Sequence, residues 1–143
     1  STRVRSSAAS DVYKRQIIDR LYDTVDVDDE QRDFLKNSVG TVEIPKDQSA
    51  YYFGVENLDF EEAVASEPLI NAIAFSVCLM RVKDGTDIDE LKAEIRRSAN
   101  PAKWICVDVN PNDVRVESVG DLVLLIMADD SEKYSEAFYA LAE

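Results

Sequence analysis

Apolar residues recur along the chain in two rhythms, one of helical and one of strand period. Ile17, Ile18, Leu21, Tyr22 and Val25 fall at i, i+1, i+4, i+5 and i+8, the stripe of an amphipathic helix. Beyond the acidic residues 23–30, Phe34, Leu35 and Val39 predict a second short helical segment ended by Gly40. Residues 41–44 alternate Thr, Val, Glu and Ile, a short extended piece stopped by Pro45. Residues 46–53 predict a short helix with Gly54 just past its C-terminus. Asp59, Phe60, Glu61 and Glu62 have the Asp-x-x-Glu spacing of a capping box, which predicts at least one helical turn there. Residues 63–67 are read as extended, before Pro68. Residues 73–82 predict a strand, with Phe75, Val77 and Leu79 on one face and Ala74, Ser76, Cys78, Met80 and Val82 on the other. Both faces are largely apolar, the pattern of a central strand.

A turn at 83–86 leads to a helix capped by Thr86 or Asp87, with Ile88, Leu91 and Ile95 as its buried stripe. Asp87, Asp89 and Glu90 at its start and Arg96 and Arg97 at its end complement the helix dipole. Asn100-Pro101 ends it. A meander follows: Ile105, Val107 and Val109 alternate, 110–113 turns, Val114 and Val116 alternate, Gly120-Asp121 turns, and 122–127 is apolar on both faces. Ser131 is expected to cap a last helix that buries Tyr134, Phe138 and Leu141. The C-terminal half therefore reads β-α-β-β-β-α. The expected class is α+β, a mainly antiparallel sheet with helices packed on one face and a helical N-terminal segment.

Length and composition fit one such domain. At 143 residues and 45% hydrophobic, the chain can bury a core without a metal or disulfide staple. Four Gly and four Pro exclude a collagen-like or low-complexity chain. The longest apolar run, 122–128, is far short of the ~20 residues that span a bilayer. The net charge of −13 repels phosphate backbones and anionic membranes, so neither nucleic acid nor a lipid surface is an expected partner of the domain.

Residues 6–16 read Ser-Ser-Ala-Ala-Ser-Asp-Val-Tyr-Lys-Arg-Gln, which resembles the in-frame translation of a transposon-end adapter used in sequencing libraries. A natural polar tail is the alternative. On the adapter reading, residues 1–16 are not native, residues 17–143 form the single domain, and the chain is a truncated copy. Residues 1–16 carry Arg3, Arg5, Lys14 and Arg15 against Asp11, so the remainder holds a charge of −16. Those first residues are also expected to prolong the first helix only by accident.

Candidate chemistry is sparse. The chain has no His, the commonest general base and a frequent metal ligand. The cluster Asp23, Asp26, Asp28, Asp29 and Glu30 suggests calcium, but an EF-hand loop starting at Asp26 needs Gly at 31 and Glu at 37, where Gln31 and Asn37 stand. A solvated acidic helix start is the expectation. Cys78 and Cys106 lack a His partner for nucleophilic or zinc chemistry and are expected to be buried thiols, a disulfide remaining open. Glu61, Glu62 and Glu67 have structural roles available. No Gly-x-Gly-x-x-Gly, P-loop or Gly-x-Ser-x-Gly occurs. Tyr51-Tyr52-Phe53 offers an aromatic platform, with two of the three expected against the sheet, and Lys103-Trp104 stands where a helix returns to the sheet. No catalytic, cofactor-binding or metal-ligating residue is assigned, and no cofactor is expected.

Five motifs carry a resemblance: Tyr-Phe-Gly-Val (52–55), Glu-Glu-Ala-Val-Ala-Ser-Glu-Pro (61–68), Arg-Val-Lys-Asp-Gly (81–85), Lys-Trp-Ile-Cys-Val (103–107) and Gly-Asp-Leu-Val (120–123). In this order they resemble a domain-of-unknown-function family of lipoproteins from Clostridia and related gut Firmicutes. The resemblance covers residues 52–141. It implies an α+β domain exported to the cell envelope behind a lipid-modified cysteine, and no activity, ligand or catalytic residue. The expected function is a non-catalytic binding or interaction module of the envelope. The alternatives are a small two-carboxylate hydrolase and a cytosolic acidic adaptor for a basic partner. Intact relatives are expected to carry an export signal and a lipidated cysteine upstream of the position of Ile17.

Overall fold

The computed structural model describes residues 7–70, 73–103 and 108–142, with side chains for 15–70, 73–103 and 108–141. The described residues form five strands: β1 (Val39–Glu43), β2 (Phe60–Pro68), β3 (Ser76–Val82), β4 (Val114–Val119) and β5 (Leu122–Met127). They make one sheet in the order β1-β2-β3-β5-β4, and each neighbouring pair is antiparallel. The helices are α1 (Ser7–Thr24), α2 (Asp29–Asn37), α3 (Ser49–Phe53), α4 (Ile88–Ser98) and α5 (Ser131–Ala142). The α+β class and the antiparallel sheet stand as expected.

The helices do not keep to one face, and here the expectation is corrected. Cys78, Met80 and Val82 of β3 pack with Val123 and Leu125 of β5, Phe53 of α3, and Leu91 and Ile95 of α4. Val77 and Leu79, with Leu124 and Ile126, pack instead with Ile18, Leu21 and Val25 of α1, Leu35 of α2, and Tyr134 and Phe138 of α5. Because successive strand residues face opposite ways, a strand apolar at every position needs cover on both sides. β5 is buried along its whole length for this reason.

Several local expectations shift. Residues 73–75 precede the strand, which starts at Ser76. α2 stops at Asn37, so Val39 and Gly40 belong to β1 rather than to the helix. No helical turn starts at Asp59: Phe60 begins β2, and the Asp59 carboxylate instead pairs with Lys83 at 2.6 Å. Ser131 is the first residue of α5, and its hydroxyl accepts from Arg115 Nε at 3.2 Å instead of capping. Asp87 does cap α4, accepting from the Glu90 N–H. α1 runs unbroken from Ser7, so residues 7–16 continue the helix of residues 17–24. The strand expected at 105–109 falls largely on 104–107, outside the described residues; Val109 is buried and donates to the Pro101 carbonyl.

Candidate functional site

The acidic residues 26–30 link α1 to α2. Asp28 accepts from the Gln31 N–H at 2.8 Å and so satisfies one of the free donors at the start of α2. Arg32, one turn on, donates to the carbonyls of Tyr22 and Val25 and closes the C-terminal end of α1. Gln31 Nε2 donates to the Tyr134 hydroxyl at 3.1 Å, which ties α2 to α5 across 103 residues of sequence.

Between these elements lies a cleft of about 740 Å³. Five carboxylates line it, Asp26, Asp28 and Glu30 from the α2 side and Asp129 and Asp130 from the turn between β5 and α5. Among the described residues, Lys133 is the one basic residue in the lining. Its apolar part combines Val27, Ile73 and Ala74 with three aromatic rings. Phe34 meets Phe75 edge-on with centroids 5.5 Å apart, and Phe75 meets Tyr134 at 6.0 Å. Of the lining residues, Phe75 and Tyr134 are buried, while Ile73 is exposed. Burial raises the Tyr134 phenol above its ordinary value, so it stays a neutral donor and acceptor. Asp130 has φ 58°, a left-handed conformation that Asp tolerates better than most residues.

Excess carboxylates beside exposed Ile73 and half-buried Phe34 attract cations that carry apolar surface. Among the described residues no three Cys, Asp or Glu side chains converge closely enough to hold a metal ion. Lys36 holds the Asp23 carboxyl below the usual carboxylate range, and Lys83 does the same for Asp59. Neither lines the cleft.

A second polar cluster lies on the opposite face of the sheet. The register pairs Ser66 with Val77, which brings Glu67 beside Ser76 at the end of β2 and β3. Glu67 Oε2 accepts from Ser76 Oγ at 2.7 Å and from the Lys103 ammonium. That ammonium also sits 4.4 Å from the Tyr51 ring centroid and 5.0 Å from that of Tyr52. Ser76 Oγ lies 3.3 Å from Cys78 Sγ. A serine or thiol nucleophile needs access and a base; Ser76 and Cys78 are fully buried, and burial pushes the Cys78 thiol up to about 12. The cluster therefore works as a buried polar link between α3 and the sheet.

Of the residues singled out in the sequence, the structure brings Asp26, Asp28 and Glu30 to the cleft. It brings Tyr51, Tyr52 and Lys103 to the cluster across the sheet. Of the aromatic run, Phe53 is fully buried, Tyr52 is half-buried and Tyr51 is exposed. Cys78 is a buried free thiol, whereas Trp104 and Cys106 lie outside the described residues. Asp129, Asp130 and Tyr134 escaped sequence reasoning as members of a site, because about 100 residues separate them from 26–31. No family model matches the chain, and no curated protein or solved structure matches it either.

Proposed function

We propose that the chain is a non-catalytic binding module that takes a cationic partner in the cleft between α2 and the β5–α5 turn. One observation carries this reading: among the described residues, five carboxylates and a single lysine line a cleft that also presents Phe34 and Ile73. The absence of His from the sequence and the burial of Ser76 and Cys78 favour binding over nucleophilic catalysis. The cell-envelope setting is proposed on the resemblance carried by the motifs within residues 52–141. It is tested by intact genes: a methionine start just before Ile17 with no apolar segment upstream would make the cytosolic adaptor the better reading.

Titration with a short oligolysine tests the cleft. Binding is expected to saturate, to weaken steeply with added salt, and to fall in Asp26→Asn/Asp129→Asn. The exposed Asp89 on α4 is the control, and Asp89→Asn should leave it unchanged. Equal weakening by both variants would mean diffuse attraction to an acidic surface rather than a site. A two-carboxylate hydrolase is the second reading, favoured by the same acid-lined cleft, since such enzymes set two carboxyls across a substrate. Turnover of a glycoside that is lost in Asp26→Asn would move the assignment there.

A further inference from the structure

We infer that the partner is an amphipathic basic peptide segment, with its cations in the acid-lined cleft and its apolar side chains on a strip formed by Leu69, Ile70 and Ile73. The inference rests on the cationic-partner reading above and extends it from a charge to a shape. Leu69 and Ile70 are 70% and 68% exposed, and Ile73 is 44% exposed. All three fall in the sequence between β2 and β3, and each side chain stands in water. Isolated exposed aliphatics are ordinary, but three within five residues of sequence, one of them lining a cleft, mark an interaction surface.

The strip is held in place at both ends. The Leu69 N–H donates to the Ser38 carbonyl at 2.9 Å, just past the C-terminal end of α2. Leu69 Cδ2 packs over Gly40, where a Cβ would come within 2.9 Å of it. At the other end Ile73 lines the cleft itself, next to the acids at the N-terminal end of α2. Leu69 and the acids thus lie at opposite ends of a nine-residue helix, about 13 Å apart at about 1.5 Å per residue, with Ile73 at the acid end. A single amine or a lone lysine cannot cover that span. A peptide helix of about nine residues or more can, with basic and apolar positions one turn apart.

Charge complementarity selects this occupant. A second copy of the chain would bring its own −13 charge to the same acid rim, and an anionic bilayer would be repelled likewise. A basic segment meets attraction at the cleft and apolar surface on the strip.

Fluorescence anisotropy with synthetic peptides of about 14 residues tests the inference. The probe repeats Leu and Lys at helical spacing; one control replaces each Leu by Ser, the other each Lys by Glu. The full chain is expected to bind the Leu/Lys peptide at least tenfold more tightly than the Ser/Lys control, and the Leu/Glu control not at all. Leu69→Ser/Ile70→Ser, which leaves the cleft lining untouched, should abolish the tenfold difference while leaving Ser/Lys binding intact. Ile70→Ser alone, a change of one exposed side chain, should reduce it. If this double variant, shown folded by circular dichroism, keeps the tenfold preference, the strip is not the contact and the inference falls while the cleft reading stands. If Leu/Lys and Ser/Lys bind the unaltered chain equally, the outcome is the same. Failure of every basic peptide to bind would remove both readings together. Strip-dependent binding to zwitterionic phosphatidylcholine vesicles would make a lipid surface the occupant and overturn the peptide assignment.

Discussion

Lys103 and Glu67 form an ion pair whose side chains are only 4% and 18% exposed, although 36 residues separate them in sequence. An ion pair this far from water persists only when its remaining hydrogen-bonding capacity is met. Ser76 supplies a donor to the carboxylate, and the Tyr51 and Tyr52 rings flank the ammonium.

Lys103→Met should therefore cost about 3 kcal/mol, because it leaves the Glu67 carboxylate partly buried without its cation. Tyr51→Ala should cost less, about 1 kcal/mol, since that ring is exposed and contributes one cation–π contact. Urea denaturation of the two variants measures both. Equal losses would mean that ring packing, not charge, holds this end of the sheet.

Gly54 ends α3 with φ +81°, and a Cβ there would lie 2.0 Å from the Ser98 carbonyl oxygen. Gly85 shares the positive φ, at +85°, but faces open space. Gly85→Ala should cost only the backbone strain, about 1 kcal/mol. Gly54→Ala must in addition push α3 away from the end of α4, and the expected loss is two to three times larger, about 2–3 kcal/mol. Thermal melts of the pair would show the difference directly.

Burial pushes the Cys78 thiol up to about 12 from its ordinary 9.0, and it raises Tyr22 further still. An unfolded chain sheds these protons at lower pH than the folded one, so the folded state binds more protons above pH 9. Stability from these groups is complete below about pH 9 and falls as pH rises toward 12, by up to about 1.4 kcal/mol per unit for each group. In a Cys106→Ser variant, Cys78 should resist Ellman's reagent at pH 8 until urea unfolds the chain. Rapid labelling in native buffer would show that the sheet opens locally at β3.

Leu124 and Ile95 are fully buried on opposite faces of the sheet. Leu124→Ala and Ile95→Ala should each cost about 2–5 kcal/mol. Since the two sites share no partner layer, the double variant should lose the sum of the single losses. A strongly non-additive denaturation midpoint would mean that the two faces communicate through β5.

Much of the sheet was legible because periodicity is a local signal. Phe75, Val77 and Leu79 separate from Cys78, Met80 and Val82 by simple alternation, and the two sets enter different cores. Gly54 and Asp87 act at the helix ends that their residue types suggest. Asp59 misled because a capping box is a local competitor, and here strand pairing won. Phe60 is drawn into the core opposite Val82, which leaves the Asp59 carboxylate to Lys83. The same alternation, apolar on both faces, already called for two helical layers rather than one. The cleft was half visible: residues 26–30 advertise their charge, but nothing local says that Asp129 and Asp130 stand opposite them. That meeting depends on the Gln31–Tyr134 hydrogen bond and the Phe34–Phe75–Tyr134 packing, which are tertiary contacts.

The strand order also sets a timetable for synthesis. β1, β2 and β3 pair with their neighbours in sequence, as do β4 and β5, but β3 must wait for β5 to join Arg81 with Leu122 and Ser76 with Met127. About 45 residues separate the end of β3 from the end of β5, a few seconds of translation at roughly 5–20 residues per second. During that interval the nascent chain carries a three-stranded apolar ribbon whose open edge is β3, a ready template for wrong pairing. Closing this seam joins the two halves of the sheet over the longest sequence separation between paired strands, so it should set the folding rate. Substitutions at Val77 or Leu79 would then be felt first as poor yield on the ribosome, before any loss appears in the finished molecule.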